Sequence, residues 1–198
     1  MGERALVEPV PFPPLPRWRR LVRSRGLRLL VAVAIAGWLL VEGIDALGGP
    51  AGIRARLGPG AAFVLVPAQV LVSVSPVPGE LVAAVSIAIY GPWTGAALCW
   101  LGWLLAAFLE YALVQRAARD LVGPEDLERL PRWLSRLPAH HPAFLIVARW
   151  LPFGGHLVNA TAGARGVPLG RFAWTSALAL VPVSLLFAGA TTGLLGLP

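Results

Sequence analysis

The stretch Phe144–Gly163, FLIVARWLPFGGHLVNATAG, decides the fold of this chain. It is apolar enough to lie in a membrane, yet it carries Arg149 and, three residues later, Pro152. Proline and paired glycines leave backbone groups without partners, and hydrocarbon has no water to satisfy them. Such a backbone is tolerated at membrane depth only where it is buried in protein or lines a wet cavity. The stretch therefore predicts a re-entrant helix-turn-helix hairpin built around a polar site.

The composition indicates an integral membrane protein. Of the 198 residues, 57% are hydrophobic and only 14% are charged, which predicts an all-α bundle in which residues 29–198 form a single membrane domain. The net charge of +7 comes from arginines that sit beside apolar segments, which favours anionic lipid over nucleic acid as a partner. A single cysteine, Cys99, excludes an intramolecular disulfide and a thiolate metal cluster. We expect no metal and no cofactor.

The N-terminal part predicts the orientation of the chain. Residues 1–28 read as a cytoplasmic basic tail, because Arg17–Arg28 precedes an apolar run, Leu29–Leu47, of about the 20 residues that a spanning helix needs. A secretory signal is the competing interpretation. The long basic region, together with Glu42 and Asp45 near the end of the run, favours a retained helix.

A second hairpin is predicted earlier in the chain. The apolar runs Ala61–Ser75 and Leu81–Tyr90 are each too short for a core of about 30 Å at about 1.5 Å per residue. The tip between them, Pro76-Val77-Pro78-Gly79-Glu80, contains two prolines. We expect this hairpin to follow a loop at Gly48–Gly60. It should enter the membrane from the face opposite to that of the Phe144–Gly163 hairpin.

Two further full spanning helices are predicted, at Trp93–Val114 and at Phe172–Leu195, the latter kinked at Pro182. They are separated by a charged cytoplasmic connector, Gln115–His141, with short amphipathic helices. One face of the Trp93–Val114 helix carries small residues and one acid, which predicts close helix packing and an inward carboxylate: Gly95, Cys99, Gly102, Ala106 and Glu110. The order helix–hairpin–helix–connector–hairpin–helix predicts an inverted-repeat bundle of about three spanning helices, an arrangement typical of transporters.

Residues 61–189 resemble the DedA / VTT-domain superfamily, whose members are also called SNARE-associated Golgi proteins. The second half is similar to the Tvp-like branch at Arg149, Pro152, Asn159, Ala162-Gly163, Arg171-Phe172 and Pro182. In the first half, the proline-glutamate tip and Tyr90-Gly91-Pro92 resemble DedA motifs, and Arg116 stands where these proteins end a helix. Gly155 departs from both branches, and Ile87 and Ala179 stand where glycine is common.

The resemblance implies a multi-pass protein that translocates lipids in the bacterial cytoplasmic membrane. Bacterial relatives are implicated in recycling undecaprenyl phosphate with dependence on the proton gradient, and eukaryotic relatives scramble phospholipids. The partners it implies are therefore membrane lipids and protons. The sequence leaves a homo-oligomer open.

Ionisable groups at the membrane centre cost about 2.5–3.5 kcal/mol each and need partners, water or a ligand. A bidentate guanidinium beside helix ends suits a phosphate monoester. We therefore predict that Arg149 binds the lipid phosphate, with Asn159 and the backbone of Gly154 and Gly155 as further donors. His156 can titrate near neutral pH, although a turn histidine bonded to backbone fits equally well.

The acidic residues and prolines complete the predicted site. Glu80 and Glu110 are candidates for proton coupling, and four residues would shape the hairpins: Pro76, Pro78, Pro152 and Gly163. A purely structural alternative pairs Arg149 with Glu80 or Glu110, so that the ions only pin the hairpins together.

Three functions compete with lipid translocation. A lipid-phosphate enzyme is disfavoured because no nucleophile–base pair or metal motif is present. A proton-coupled exporter of ions or small cations would use the same carboxylates without a role for Arg149. A scaffold would keep its activity when the charges are removed.

Overall fold

The computed structural model describes residues 25–75, 79–121, 137–151 and 153–196, and these residues contain helices and no strands. The α-helices are α1 Arg25–Ala46, α2 Gly49–Leu57, α3 Ala62–Val74, α4 Glu80–Leu121, α5 Pro142–Val147, α6 Gly154–Ala164 and α7 Leu169–Leu195. Short 3₁₀ segments lie at Gly58–Ala61 and Ala148–Trp150. The predicted amphipathic helices of the connector lie outside the described residues, as do Pro76, Pro78 and Pro152.

Three stretches are long and apolar enough to cross a membrane: Gly49–Val74, Glu80–Arg119 and Leu169–Leu194. The first corrects our prediction of a loop at Gly48–Gly60. Pro50 stands in the first turn of α2, where a missing N–H costs nothing, and a helix joined to α3 results. Helix α1 covers most of the predicted Leu29–Leu47 run, but the apolar stretch described within it, Ile35–Ile44, is shorter than a span, so its crossing of the membrane stays a prediction.

Helix α4 is two antiparallel arms rather than one rod. Gly91 has φ 78° and ψ 176°, outside the helical region, and it separates an N-terminal arm (residues 80–90) from a C-terminal arm (residues 92–121). The Cys99 Sγ lies 3.5 Å from the carbonyl oxygen of Ala83, whereas 16 residues of continuous helix would separate them by about 24 Å. A methyl group at Gly95 would lie 2.6 Å from the Cα of Ile87, so the arms touch backbone to backbone.

The predicted break at Gly91-Pro92 is thus confirmed, but the predicted end of the helix at Val114 is wrong. The C-terminal arm continues to Leu121, so Arg116 lies within the helix and not at its end. The residues after Val114 include Gln, Arg and Ala, all of which propagate a helix well. A change from apolar to charged sequence marks where a membrane ends, and a helix can continue past that point.

Helix α3 packs antiparallel to the N-terminal arm. At one end, the Tyr90 hydroxyl donates to the carbonyl oxygen of Pro59 at 2.9 Å and accepts from the N–H of Ala62 at 2.6 Å. At the other end, Val72 and Val82 share a buried cluster. This pair, α3 with the N-terminal arm, is called hairpin 1 below.

The predicted stripe of small residues makes the close contacts expected of it. Cys99 is fully buried, and the amide of Gln69 on α3 donates to the Cys99 carbonyl at 3.1 Å. A methyl group at Gly102 would lie 2.6 Å from the Gln69 side chain. Helix α3 and the N-terminal arm of α4 therefore both pack on the face of the C-terminal arm that carries the small side chains.

Hairpin 2 consists of α5, the Ala148–Trp150 segment and α6. A methyl group at Gly163 would lie 2.7 Å from the carbonyl oxygen of Tyr111, so α6 packs directly on the C-terminal arm. The Tyr111 hydroxyl donates to the Val167 carbonyl at 2.6 Å, and its ring stacks on Phe172. These contacts fix the start of α7 beside the middle of the C-terminal arm.

Helix α7 runs antiparallel to the C-terminal arm and contacts the tip of hairpin 2. Ala188 shares a buried cluster with Cys99, near the other end of that arm. Two indole N–H groups donate to α7 carbonyls: Trp100 to Ala177 at 2.8 Å, and Trp150 to Ala179 at 3.1 Å. Pro182, within α7, cannot donate to the carbonyl one turn earlier, so this part of the helix has weakened internal bonding.

Candidate functional site

Arg149 is buried between hairpin 2 and α7. The residue is only 8% exposed. Its Nη2 donates to the Asn159 Oδ1 at 2.8 Å and to the Ser176 Oγ at 2.7 Å. The guanidinium also lies 5.2 Å from the centroid of the Phe172 ring, a cation–π distance. The local fold explains this position, because the 3₁₀ segment ends at Trp150 and turns the arginine inward before α6 begins.

Asn159 connects this arginine to a carboxylate. Its Nδ2 donates to the Glu110 Oε2 at 2.8 Å, while its Oδ1 accepts from Arg149. The amide therefore bridges a cation and an anion, with each end suited to its partner. Neither of the direct pairs that we considered, Arg149 with Glu80 or with Glu110, occurs among the salt bridges of the described residues.

His156 forms the accessible end of this network. Its Nδ1 lies 3.1 and 3.2 Å from the two carboxylate oxygens of Glu110. The His156 side chain is 56% exposed and that of Glu110 only 15%. His156 and Asn159 are three residues apart on α6, hence on one face, and both contact Glu110. The described contact of the His156 ring is thus a carboxylate, whereas one of our alternatives expected backbone.

Glu80 begins the N-terminal arm of α4, at the tip of hairpin 1, and is exposed. It lies close enough to His156 to act on its imidazole electrostatically. Two carboxylates, from Glu80 and Glu110, act on this one histidine.

The paired glycines at the start of α6 differ in their surroundings. A methyl group at Gly154 would overlap the Ala148 carbonyl oxygen, and the Gly154 N–H already donates to the Leu151 carbonyl at 2.8 Å. Gly154 therefore shapes the turn and has no free N–H for a ligand. Gly155 has open space where a side chain would be. Phe153, the residue before Gly154, has φ 59° and is 86% exposed. The turn therefore places a bulky residue in a conformation that favours glycine.

One donor of Arg149 is unused. Its Nε is buried and has no acceptor among the described residues. A buried cationic donor without a partner is costly, which makes it a marker of a ligand or water position. Nη2 is held by Asn159 and Ser176, so Nε is the donor of this guanidinium that is buried without an acceptor among the described residues.

Sequence reasoning missed Ser176, which is fully buried and holds Arg149. A signal for it exists, because Phe172, Ser176 and Ala179 recur at helical spacing on the buried face of α7. A hydroxyl on the packed face of an apolar helix needs a polar partner, and Arg149 is that partner.

The site thus joins three parts of the chain in one hydrogen-bonded series: Ser176, Arg149, Asn159, Glu110 and His156. The model of the VTT domain matches residues 77–192, more than half of the chain and all of these five residues. A search of curated proteins and a search of solved structures gave no significant match. The chain belongs to the VTT-domain family, whose members are generally membrane proteins linked to transport.

Proposed function

We propose that this protein translocates a phosphate-bearing lipid, such as undecaprenyl phosphate or a phospholipid, across the bacterial cytoplasmic membrane. The observation that carries the proposal is Arg149: a buried guanidinium held by neutral acceptors, with its Nε unused. A buried cation without a direct carboxylate partner attracts a ligand anion, because burying a charge without a direct counter-ion is costly. A phosphate oxygen supplies both the charge and the acceptor that Nε lacks.

The packing supports the arrangement of two opposed re-entrant hairpins. Hairpin 1 has its base beside the start of the C-terminal arm, where Tyr90 contacts Ala62. Hairpin 2 has its base at the other end, where the His140 carbonyl accepts from Arg171. Bases at opposite ends of one bundle are what an inverted repeat produces.

The depth of the tips fits a site near the middle of a membrane. The pairing of Ile87 with Gly95 and of Ala83 with Cys99 places Glu80 beside residue 102, which is about 15 Å along the C-terminal arm. The contact of Trp150 with Ala179 lies about the same distance along α7. Both depths are about half of a hydrocarbon core of roughly 30 Å.

Within this proposal the residues have separate roles. Arg149, Asn159 and His156 bind the phosphate, together with Gly155 in the first turn of α6, where the helix dipole favours an anion. Glu80 and Glu110 exchange protons and couple movement to the gradient. The N-terminus is cytoplasmic, and assignment to the Tvp-like branch follows from the motif at Arg149 and Asn159.

A proton-coupled exporter of ions or small cations is the second candidate, because two carboxylates face the accessible His156. The two functions make opposite demands on Arg149. An exporter works with the arginine removed, whereas a phosphate carrier requires it.

The test is translocation of a fluorescent polyprenyl phosphate in proteoliposomes, with and without a pH gradient. The variant is Arg149→Ala, and its matched control is Arg54→Ala, an exposed arginine on α2 outside the site. Loss of one charge-assisted hydrogen bond to the phosphate, about 1.5–3 kcal/mol, predicts a rate about 10- to 150-fold lower for Arg149→Ala. If Arg149→Ala matches the control at equal insertion, the phosphate-binding role is wrong. If the wild type moves cations and not the lipid, the exporter function replaces lipid translocation as our proposal.

A further inference from the structure

Two of the groups proposed to bind the lipid phosphate, the Asn159 Nδ2 and the His156 Nδ1, already contact a carboxylate. Glu110 accepts from the Asn159 Nδ2 at 2.8 Å and contacts the His156 Nδ1 through both oxygens, at 3.1 and 3.2 Å. One nitrogen shared between two oxygens of one anion is a bifurcated contact, and two oxygens of a phosphate can accept it in the same way. The Glu110 carboxylate thus stands in the position and with the charge of the proposed ligand.

Building on the proposed function, we infer that Glu110 is an internal competitor of the lipid phosphate, removed by its own protonation. When a proton bonds to a Glu110 oxygen, the carboxylate becomes a neutral acid and loses its charge-assisted contacts. The His156 and Asn159 donors are then free to bind phosphate oxygens. When Glu110 releases the proton, the carboxylate reclaims the donors and expels the phosphate. One proton therefore binds with each phosphate.

The surroundings of Glu110 are consistent with such an exchange. From α6, His156 and Asn159 contact it, and Arg149 of the adjoining 3₁₀ segment acts through Asn159. Glu80 acts on His156 from the tip of hairpin 1, and α7 contributes the non-titrating Ser176 behind Arg149. Glu110 is 15% exposed and touches the half-exposed His156, so a proton and a phosphate can approach from the same side.

Competition makes a thermodynamic prediction. Because the proton and the phosphate favour the same state of the site, each must tighten the binding of the other by an equal factor. A permanently neutral side chain at this position, Glu110→Gln, should bind phosphate about 5- to 150-fold more tightly than the wild type near neutral pH. It should also take up one proton fewer on binding.

The experiment is titration calorimetry of full-length protein in nanodiscs with farnesyl phosphate, a short soluble polyprenyl phosphate. Repeating it in buffers of different ionisation enthalpy gives the number of protons taken up. The wild type and Glu110→Gln are compared with Glu42→Gln, an exposed carboxylate on α1 outside the site. Protonation of the phosphate itself contributes equally to all three, so the difference between variants isolates Glu110.

Tighter binding and one proton fewer in Glu110→Gln alone would support the competitor role. Equal proton uptake in all three proteins, or weaker binding in Glu110→Gln, would overturn it and leave Glu110 as a clamp. Should the wild type bind no farnesyl phosphate, the proposed function itself fails. An infrared difference spectrum needs only the wild type: a new carboxylic-acid band on addition of farnesyl phosphate is expected, and its absence contradicts the inference.

Discussion

The hydroxyl of Ser176 offers the most direct test of how Arg149 is held. Ser176→Ala removes one of the two acceptors of the Arg149 Nη2 and adds no atom. The matched control is Ser184→Ala on the same helix. Both serines are buried, at 0% and 3% exposure, but the Ser184 hydroxyl donates only to the Val181 carbonyl of its own helix. The difference between the variants therefore isolates the contact with the cation.

The expected magnitude follows from the charge on the donor. A hydrogen bond to a charged group contributes about 1.5–3 kcal/mol, so Ser176→Ala should lose that much more unfolding free energy than Ser184→Ala. For a chain of 198 residues each kcal/mol corresponds to roughly 2–4 °C, which gives a melting temperature about 3 to 12 °C lower.

Thermal unfolding in detergent, followed by circular dichroism, measures this difference. Equal melting temperatures for Ser176→Ala and Ser184→Ala would refute the conclusion that Ser176 holds the arginine. Because Arg149 keeps its contact with Asn159, lipid translocation by Ser176→Ala should fall less than in Arg149→Ala.

Two further predictions concern packing. Gly163→Ala should destabilise the protein by about 1–3 kcal/mol, because the added methyl group meets the backbone of Tyr111, which moves less easily than a side chain. The control is Gly193→Ala, at an open position on α7. Equal melting temperatures for the two variants would contradict this prediction. Ala83→Cys should cross-link to Cys99 with a short thiol reagent, because the arms of α4 are antiparallel. A straight helix would hold these positions about 24 Å apart and give no product.

The breaks in the chain could be predicted from the sequence because they depend on local chemistry. Gly91-Pro92 interrupts α4 since glycine accepts a positive φ and the following proline begins a new helix. The same reasoning located the Arg149 turn and the close packing at Gly95 and Gly102. It failed for α2, where a loop was inferred from glycine and proline content although the proline lies in a helix's first turn.

The partners within the site could not be predicted, because they depend on how helices cross. Periodicity turned Glu110 inward but could not choose among Arg149, Asn159 and His156 as its contacts. The sequence suggests a direct ion pair as the internal partner of Arg149, and the amide of Asn159 bridges Arg149 and Glu110 instead. Which side chains meet is decided by relative rotation and displacement of α4 and α6, and neither is encoded in the spacing of one helix.

The two indole contacts on α7 have a mechanical consequence. Trp150, beside Arg149 at the tip of hairpin 2, and Trp100, on the C-terminal arm, each hold a carbonyl in the turn that precedes Pro182. A helix with weakened internal bonding bends where its carbonyls change partners. A displacement of the tip would therefore pull on the Ala179 carbonyl, which lies close to Pro182 in the weakly bonded part of α7. Because Trp150 joins the segment that carries Arg149 to α7, a movement of that segment would be passed directly to the last helix.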